Sequence, residues 1–217
     1  MSGDLPGWFV QQFAAPRLGP YLIAAQRDGV PVASLYVWNL EIAASFYVPL
    51  HCLEISLRNT MHDKLKCKFG TDNWWSGAPL APHDITKIDK AQSDAKRNHQ
   101  SAGEPSADDI MSELSFGFWV SLLSRRYDRH LWVPILHRAF PHYRGSREIL
   151  RKDLQTMVLL RNRIMHHEPI HHRHLAVDHQ KVYQLLSYVC AELPAWVGAI
   201  DQVSATLARR PKADANA

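Results

Sequence analysis

Residues 149–174 read ILRKDLQTMVLLRNRIMHHEPIHHRH, and this stretch decides the fold expected for the rest of the chain. Apolar residues recur in it at steps of three and four, which is the period of one face of an α-helix. Pro169 disfavours helical geometry at Glu168 and is expected to end the helix. The members of the apolar stripe are Leu150, Leu154, Met157, Leu160 and Ile164.

Arg161 interrupts this apolar stripe. A guanidinium there is costly unless it is paired or faces an interface or a cleft. Asn162 and His166 lie one turn apart on one face of the helix. Arg161 and His166 are about 140° apart around the helix axis, so only a side chain as long as arginine could bring its tip to that imidazole. His166 and His167 would lie in the last turn, where the helix dipole favours an imidazolium.

The remainder of the chain shows helical periodicity and no alternating β pattern, so we expect an all-α fold. The 217 residues suit one domain, expected over 1–208 and followed by a disordered tail at 209–217. A flexible linker is expected at 99–107. Further helices are expected over 5–13, from Pro20 to Gly29, over 31–65 with a kink or split at Pro49, over 84–98, 107–127, 131–140 and 178–193, and from Pro194 to about Leu207.

The positive charge is concentrated in one window. Residues 125–173 contain eleven Arg or Lys against four Asp or Glu, and the rest of the chain is slightly acidic. Such a window suits a polyanion such as RNA, and a solvated helix face explains the charge bias about equally well. For Arg125, Arg126 and Arg129 we favour contacts with an RNA backbone over solvation of a helix end.

The expected location is the cytoplasm. The three cysteines form no CxxC pair, which favours a reducing compartment. The N-terminal residues lack the pattern of a secretion signal, and no membrane segment is expected.

Three blocks of the sequence resemble a known family. They are WNLEIAASFYVPLHCLEISLRNTMHDKL at 38–65, LSFGFWVSLLSRRYDRHLW at 114–132 and LRNRIMHHEPIHH at 160–172. Within the last block, Arg161-Asn162-x3-His166 is similar to the Arg-x4–6-His motif of HEPN ribonucleases. The three blocks in this order resemble the Abi-like (abortive infection) branch of that superfamily, which implies a HEPN-like helical bundle with additional packing helices.

This resemblance implies a metal-independent endoribonuclease that acts in phage defence or as a growth-arresting toxin. It implies a homodimer whose composite cleft contains two copies of Arg161, Asn162 and His166. His167 is a possible second proton carrier, on adjacency alone. The match of LEISLRN to a family block implies that Glu54, Arg58 and Asn59 support the site. We place Arg163 with the residues expected to contact RNA.

The residue types suit this chemistry. Attack of a 2′-hydroxyl on the next phosphate needs a base, an acid and positive charge on the phosphorane. Histidine serves either proton transfer near neutral pH, and the arginine fork binds two phosphate oxygens at once. No cofactor is required, and no metal is expected, because HHEPIHH lacks the HExxH spacing. The histidines that raise the metal question are His166, His167, His171, His172 and His174.

Two other functions stay open from the sequence. One is a non-catalytic HEPN-type RNA-binding module that uses the same basic region. The other is a structural all-α interaction protein in which Arg161 is a buried, paired residue. The partners expected are RNA, a second copy of the chain, and an antitoxin or non-coding RNA.

Overall fold

The computed structural model describes residues 5–98 and 103–213, and this part of the chain contains helices and turns but no strand. The prediction of an all-α fold is confirmed. Short 3-10 or π turns occur at Trp74–Ser76, Arg125–Tyr127, Asp128–Trp132 and Leu136–Ala139. The α-helices of the described residues are α1 Gly7–Phe13, α2 Ala15–Asp28, α3 Val32–Ser45, α4 Tyr47–Phe69, α5 Pro82–Asn98, α6 Ala107–Glu113, α7 Phe116–Ser121, α8 Arg147–Met165, α9 Leu175–Val189, α10 Leu193–Gly198 and α11 Val203–Ala208.

The residue contacts divide the chain into two compact units. Helices α4, α8, α9 and α10 each contribute residues to both units. The expectation of one domain over 1–208 stays a prediction. Among the described residues, unit 1 comprises 5–51, Leu159–Tyr183 and 195–213, and unit 2 comprises 52–98, 103–158 and Gln184–Pro194.

In unit 1, helix α3 packs against both α2 and α11. Its buried face carries aromatic side chains that pack with rings from α1 and α2. The ring of Tyr36 lies 5.2 Å from that of Phe9 and 5.0 Å from that of Tyr21. Trp38 donates from Nε1 to the carbonyl of Thr206 at 2.9 Å, which ties α3 to α11. Burial of these large rings is the main source of stability expected for this unit.

In unit 2, α5 packs against α6, and buried indole rings form part of the core. Trp74 and Trp119 are both 0% exposed, and their ring centroids are 6.1 Å apart. Trp74 donates from Nε1 to Nδ1 of His62 at 3.3 Å. Burial lowers the pKa of His62, which keeps the ring neutral and able to accept this bond.

The prolines act differently from the prediction. Helix α2 begins at Ala15 and contains Pro20, so Pro20 does not open it. The run expected over 31–65 is split, as predicted, but the split falls at Phe46. Pro49 is then the third residue of α4, where a missing N–H removes no intrahelical hydrogen bond.

The helix expected over 107–127 is two helices, because serine side chains cap two successive starts. Ser106 forms a capping box with Asp109 at the start of α6, in agreement with the sequence. Leu114 is extended, and Ser115 then accepts a hydrogen bond from the backbone N–H of Phe118 at 3.2 Å. This second cap starts α7 and interrupts the expected helix.

The last expected helix is also divided, into α10 and α11. Asp201 lies between them and accepts a hydrogen bond at 2.8 Å from the backbone N–H of Val203, the first residue of α11. Within the tail expected at 209–217, Arg210 pairs with Asp28 at 3.2 Å and lies 5.1 Å from the ring of Trp38. Residues 214–217 of that tail, and 99–102 of the expected linker, lie outside the described residues.

The helical run Val32–Phe69, which consists of α3, Phe46 and α4, is long and apolar enough to cross a membrane by length and composition; residues 5–98 and 103–213 were compared with these two criteria. About 33% of its most apolar window is buried within the protein. Core helices of soluble proteins meet the same two criteria, so this is weak evidence for a membrane span. The expectations of no membrane segment and of a cytoplasmic location stay predictions.

Candidate functional site

The end of α8 determines how the motif residues are presented. His167 has a left-handed backbone, with φ of 57°. Its N–H donates to the carbonyl of Ile164 at 3.0 Å, and the N–H of Glu168 donates to that of Arg163 at 2.8 Å. These two bonds form a Schellman motif, in which the left-handed residue is usually glycine. The helix therefore ends abruptly at Met165, and His166, four residues past Asn162, is the first residue after it.

The three motif residues belong to unit 1 and differ in exposure. Asn162 and His166 are exposed, and Arg161 is partly buried. The backbone N–H of His166 donates to the carbonyl of Asn162 at 2.9 Å, so both residues share a regular helical turn. Their side chains are therefore neighbours on the helix surface. This arrangement presents an amide and an imidazole together to solvent.

Arg17 is a residue of this region that the sequence prediction missed. It lies on α2 and donates from Nη2 to the carbonyl of His166 at 3.4 Å. It brings a further guanidinium to the end of α8. No local signal in the sequence identifies it, because the contact joins residues 149 positions apart.

Arg163, assigned to RNA binding from the sequence, has partners within its own segment. Its Nη1 donates to Nε2 of His172 at 3.0 Å, and its Nε lies 3.8 Å from the carboxylate of Glu168. Burial, together with the charges of Arg163 and Arg173, lowers the pKa of His172 and favours the neutral acceptor. The contact of Arg163 with RNA stays a prediction.

The residues after Pro169 return to the core of unit 1. Ile170 is 0% exposed and His171 only 3%. The side-chain oxygen of Asn39, itself buried, accepts hydrogen bonds from the backbone N–H groups of Ile170 at 2.9 Å and His171 at 3.0 Å. Asn39 therefore fixes the path of the chain directly after the motif, and the sequence prediction missed it.

His171 is a buried histidine whose two ring nitrogens have no hydrogen-bond partner among the described residues. Its ring lies 4.9 Å from that of Tyr21. Burial, followed by the charges of His172 and Arg210, lowers the pKa of His171 to about 4. Burial also raises the pKa of Tyr21 to about 12, so both rings are neutral at pH 7.

The histidines do not form a metal site in the described ranges. Across residues 5–98 and 103–213, no group of three His, Cys, Asp or Glu side chains is placed to hold a metal ion. The rings of His171 and His172 are 5.5 Å apart, but the first is buried and the second accepts from Arg163. Zinc would require three or four converging ligands.

The supporting residues expected from the family resemblance lie on the part of α4 that belongs to unit 2. Arg58 donates from Nε to the side-chain oxygen of Asn59 at 3.2 Å. Glu54 is partly buried one turn before Arg58. Their support of the motif stays a prediction.

The three arginines expected to contact RNA outside the motif also belong to unit 2. Arg125, Arg126 and Arg129 are all exposed. They lie in consecutive 3-10 and π turns rather than on the end of a long helix. Nη1 of Arg126 lies 3.4 Å from Nδ1 of His83. Their exposure is compatible with a polyanion and with plain solvation.

Close to these arginines, a buried carboxylate that the sequence prediction missed has a structural role. Asp84 is 0% exposed and accepts a hydrogen bond from the hydroxyl of Tyr127 at 2.6 Å and one from Lys87 at 2.9 Å. Burial alone would raise the pKa of Asp84, but the bonds from these two residues outweigh it and hold the pKa below its usual range. The Tyr127 hydroxyl also accepts from the backbone N–H of Ala81 at 2.9 Å, so the cluster secures the turn that carries Arg125 and Arg126.

Comparison of the chain with protein-family models, with curated proteins and with solved structures finds no match.

Proposed function

We propose that this chain is a metal-independent endoribonuclease whose catalytic residues are Arg161, Asn162 and His166. The observation that supports this best is the pairing of exposed Asn162, in the last turn of α8, with exposed His166, directly after its end, and with partly buried Arg161 next to Asn162. The resemblance of this segment to the HEPN motif supplies the reaction. The wider role, in phage defence or growth arrest, is part of the same proposal.

In the proposed reaction, the 2′-hydroxyl of one nucleotide attacks the adjacent phosphate and expels the 5′-oxygen. His166 exchanges a proton with one of these oxygens, as an imidazole does well near neutral pH. The planar fork of Arg161 holds two phosphate oxygens while charge builds up on them. Asn162 orients the imidazole or a phosphate oxygen. Products would carry 2′,3′-cyclic phosphates.

We also propose that the active form is a homodimer, in which a second copy of the chain supplies a second motif histidine. One chain supplies a single motif histidine, whereas the reaction uses a base and an acid. Two exposed apolar residues of α8 lie at the motif, namely Leu159 before it, at 53% exposure, and Met165 within it, at 40%. Such residues suit a contact with another protein surface. An antitoxin or a non-coding RNA is the further partner proposed.

The second candidate function is RNA binding without cleavage. The exposure of Arg125, Arg126 and Arg129 favours it. A module of this kind would bind RNA with a strong dependence on salt and would leave the RNA intact.

The test is cleavage of a mixed-sequence RNA by the wild-type chain, by His166→Ala and by His174→Ala, each with and without EDTA. His174 is an exposed histidine of the same unit and serves as the matched control. We expect His166→Ala to lose about 10²–10⁴-fold in rate, the usual contribution of a general acid or base. The control and the chelator should change little.

Cleavage by His166→Ala at the wild-type rate would refute the catalytic role. Loss of activity in EDTA with recovery on adding zinc would refute the metal-independent mechanism. Salt-dependent binding without any cleavage would select the second candidate.

A further inference from the structure

A cleft of about 370 Å³ lies in unit 2, between the π turn Asp128–Trp132 and the residues before α8. This volume is within the range of small-molecule sites, roughly 300–1,000 Å³. Trp132 and Tyr143 are partly exposed and line the cleft, and buried Phe140 contributes to its wall. The cleft contains none of the motif residues.

The ring of Tyr143 is fixed in position without a ligand. Its hydroxyl donates to the carbonyl of Ser146 at 2.8 Å, and its ring centroid lies 4.6 Å from that of Tyr188. A Cβ on Gly145 would lie 2.3 Å from the Tyr143 hydroxyl, so this ring position requires glycine at 145. A ring held in this way can stack with a ligand at little entropic cost.

The polar lining of the cleft is cationic. Arg138 is exposed and makes no side-chain hydrogen bond or ion pair within the described residues. Arg144 uses Nη1 to donate to the carbonyls of Pro141 at 2.7 Å and Tyr143 at 3.2 Å. These bonds stiffen the loop and leave Nε and Nη2 available. No carboxylate side chain lines the cleft.

His137 adds an acceptor to this lining. Its Nδ1 lies 3.1 Å from the carbonyl of Trp132, so Nδ1 carries the proton that is donated there. In the neutral ring, Nε2 is then a hydrogen-bond acceptor. An amino group of a base or a ribose hydroxyl could donate to it.

We propose that this cleft binds one unpaired nucleotide, with its base stacked on Trp132 or Tyr143 and its phosphate held by Arg138 and Arg144. Aromatic rings accept the face of any base, and arginine forks match phosphate oxygens. The nucleotide could be free or part of a single strand of RNA. The RNA source rests on the proposed function, whereas nucleotide binding itself does not.

The test measures affinity for AMP by calorimetry and for a fluorescent eight-nucleotide oligo(A) RNA by anisotropy. The full chain is used, with His166→Ala in every sample to prevent cleavage. Arg138→Gln and Trp132→Leu are added separately, and Arg97→Gln is the charge-matched control. Arg97 is an exposed arginine on α5, paired with Asp94 and absent from the cleft. Thermal unfolding is recorded for each variant.

We expect Trp132→Leu to weaken binding by about 5- to 100-fold, the usual effect of removing one stacking ring. Arg138→Gln should weaken it less and reduce the salt dependence for RNA by about one unit. Losses for both AMP and RNA support a nucleotide site, and losses for RNA alone assign the site to a strand. Wild-type affinity in Arg138→Gln and in folded Trp132→Leu, or an equal loss in Arg97→Gln, overturns the proposal.

The outcomes separate this proposal from the proposed function. If the wild-type chain cleaves no RNA but AMP binding depends on Trp132 and Arg138, the proposal of a nucleotide-binding cleft is supported and the ribonuclease proposal is wrong. If RNA is cleaved but the affinities for AMP and RNA do not depend on these residues, the ribonuclease proposal is supported and the nucleotide-binding proposal is wrong.

Discussion

The segments 161–167 and 169–175 are adjacent and similar in composition, yet they differ in burial: no residue of the first is fully buried, whereas the second has residues in the core although His172 and His174 are exposed. The first ends α8 with His166 and His167 exposed. The second places His171 at 3% exposure and Leu175 also at 3%. The lowered pKa of His171 keeps its ring neutral in the core, whereas His166 lies in solvent at the helix end.

This difference shows that the environment of a histidine, rather than its presence, decides whether it can transfer protons. The Schellman motif at His167 turns the chain, and Asn39 then holds the next residues in the core. The exposed segment is therefore available for chemistry. Residues 169–175 stabilise the fold of unit 1, and residues 161–167 stay at the surface.

Replacing Arg161 should have the largest effect, and this effect should fall on the rate of cleavage far more than on RNA affinity. Arg161→Ala is expected to reduce single-turnover cleavage by about 10²–10³-fold, because one electrostatic contact with the developing charge is lost. RNA affinity should change far less. Arg161→Lys keeps the charge but loses the planar fork, so it should restore affinity and not rate. Rapid-quench cleavage and anisotropy measure the two quantities.

If Arg161→Lys cleaves as fast as wild type, the residue supplies only charge and its proposed role is wrong. If Arg161→Ala unfolds the protein, Arg161 has a structural role, as residues 169–175 have.

Replacing Asn39 should have the next largest effect, and it should fall on stability. Asn39→Leu removes the acceptor of two buried backbone N–H groups, those of Ile170 and His171. We expect the free energy of unfolding to fall by at least about 2 kcal/mol, since two buried donors are left unpaired and each costs roughly 1–3 kcal/mol. Urea unfolding measures this. Asn98→Leu, at an exposed asparagine, should change stability by less than about 0.5 kcal/mol.

An unchanged urea midpoint in Asn39→Leu would mean that the loop after Pro169 finds other acceptors. The buried segment would then not depend on Asn39.

The smallest effect expected concerns pH. Because the pKa of His171 is lowered to about 4 in the folded state, its contribution to stability is complete above its unfolded pKa of about 6.5. It declines as the pH falls from about 6.5 to about 4, because only the unfolded state gains the proton in that window. The loss at pH 5 relative to pH 8 is on the order of 2 kcal/mol.

His171→Leu should therefore flatten the dependence of unfolding free energy on pH between 8 and 5, relative to that of the wild-type chain. Urea unfolding at several pH values compares the two. A wild-type slope in His171→Leu would show that burial does not control this titration.

Local signals in the sequence predicted the helix that carries the motif. The apolar stripe placed α8, and Ser106 marked the start of α6. The predicted end of α8 at Pro169, with His166 and His167 in the last turn, is wrong, because the left-handed His167 ends the helix at Met165. The break at Leu114 was missed because the apolar run continues through it, and only the cap at Ser115 interrupts the helix.

Contacts between distant residues could not be predicted in this way. Asn39 bonds to residues more than 130 positions later, and its one local signal is a polar side chain between Trp38 and Leu40. The hydrogen bond that Arg17 donates to the carbonyl of His166 cannot be recognised from the local sequence around either residue. The exposure of His166 and the burial of His171 follow from such long-range contacts, so their similar local sequences did not distinguish them.

The left-handed backbone of His167 has a consequence for the stability of this region. A side chain in that conformation costs roughly 1–2 kcal/mol, a penalty that glycine avoids. The chain thus forgoes a simple stabilising substitution beside its candidate catalytic histidine. Position 167 thus sets backbone stability against any role of the imidazole. For protein engineering, glycine at position 167 would separate the two demands, since it preserves the turn and removes only the imidazole.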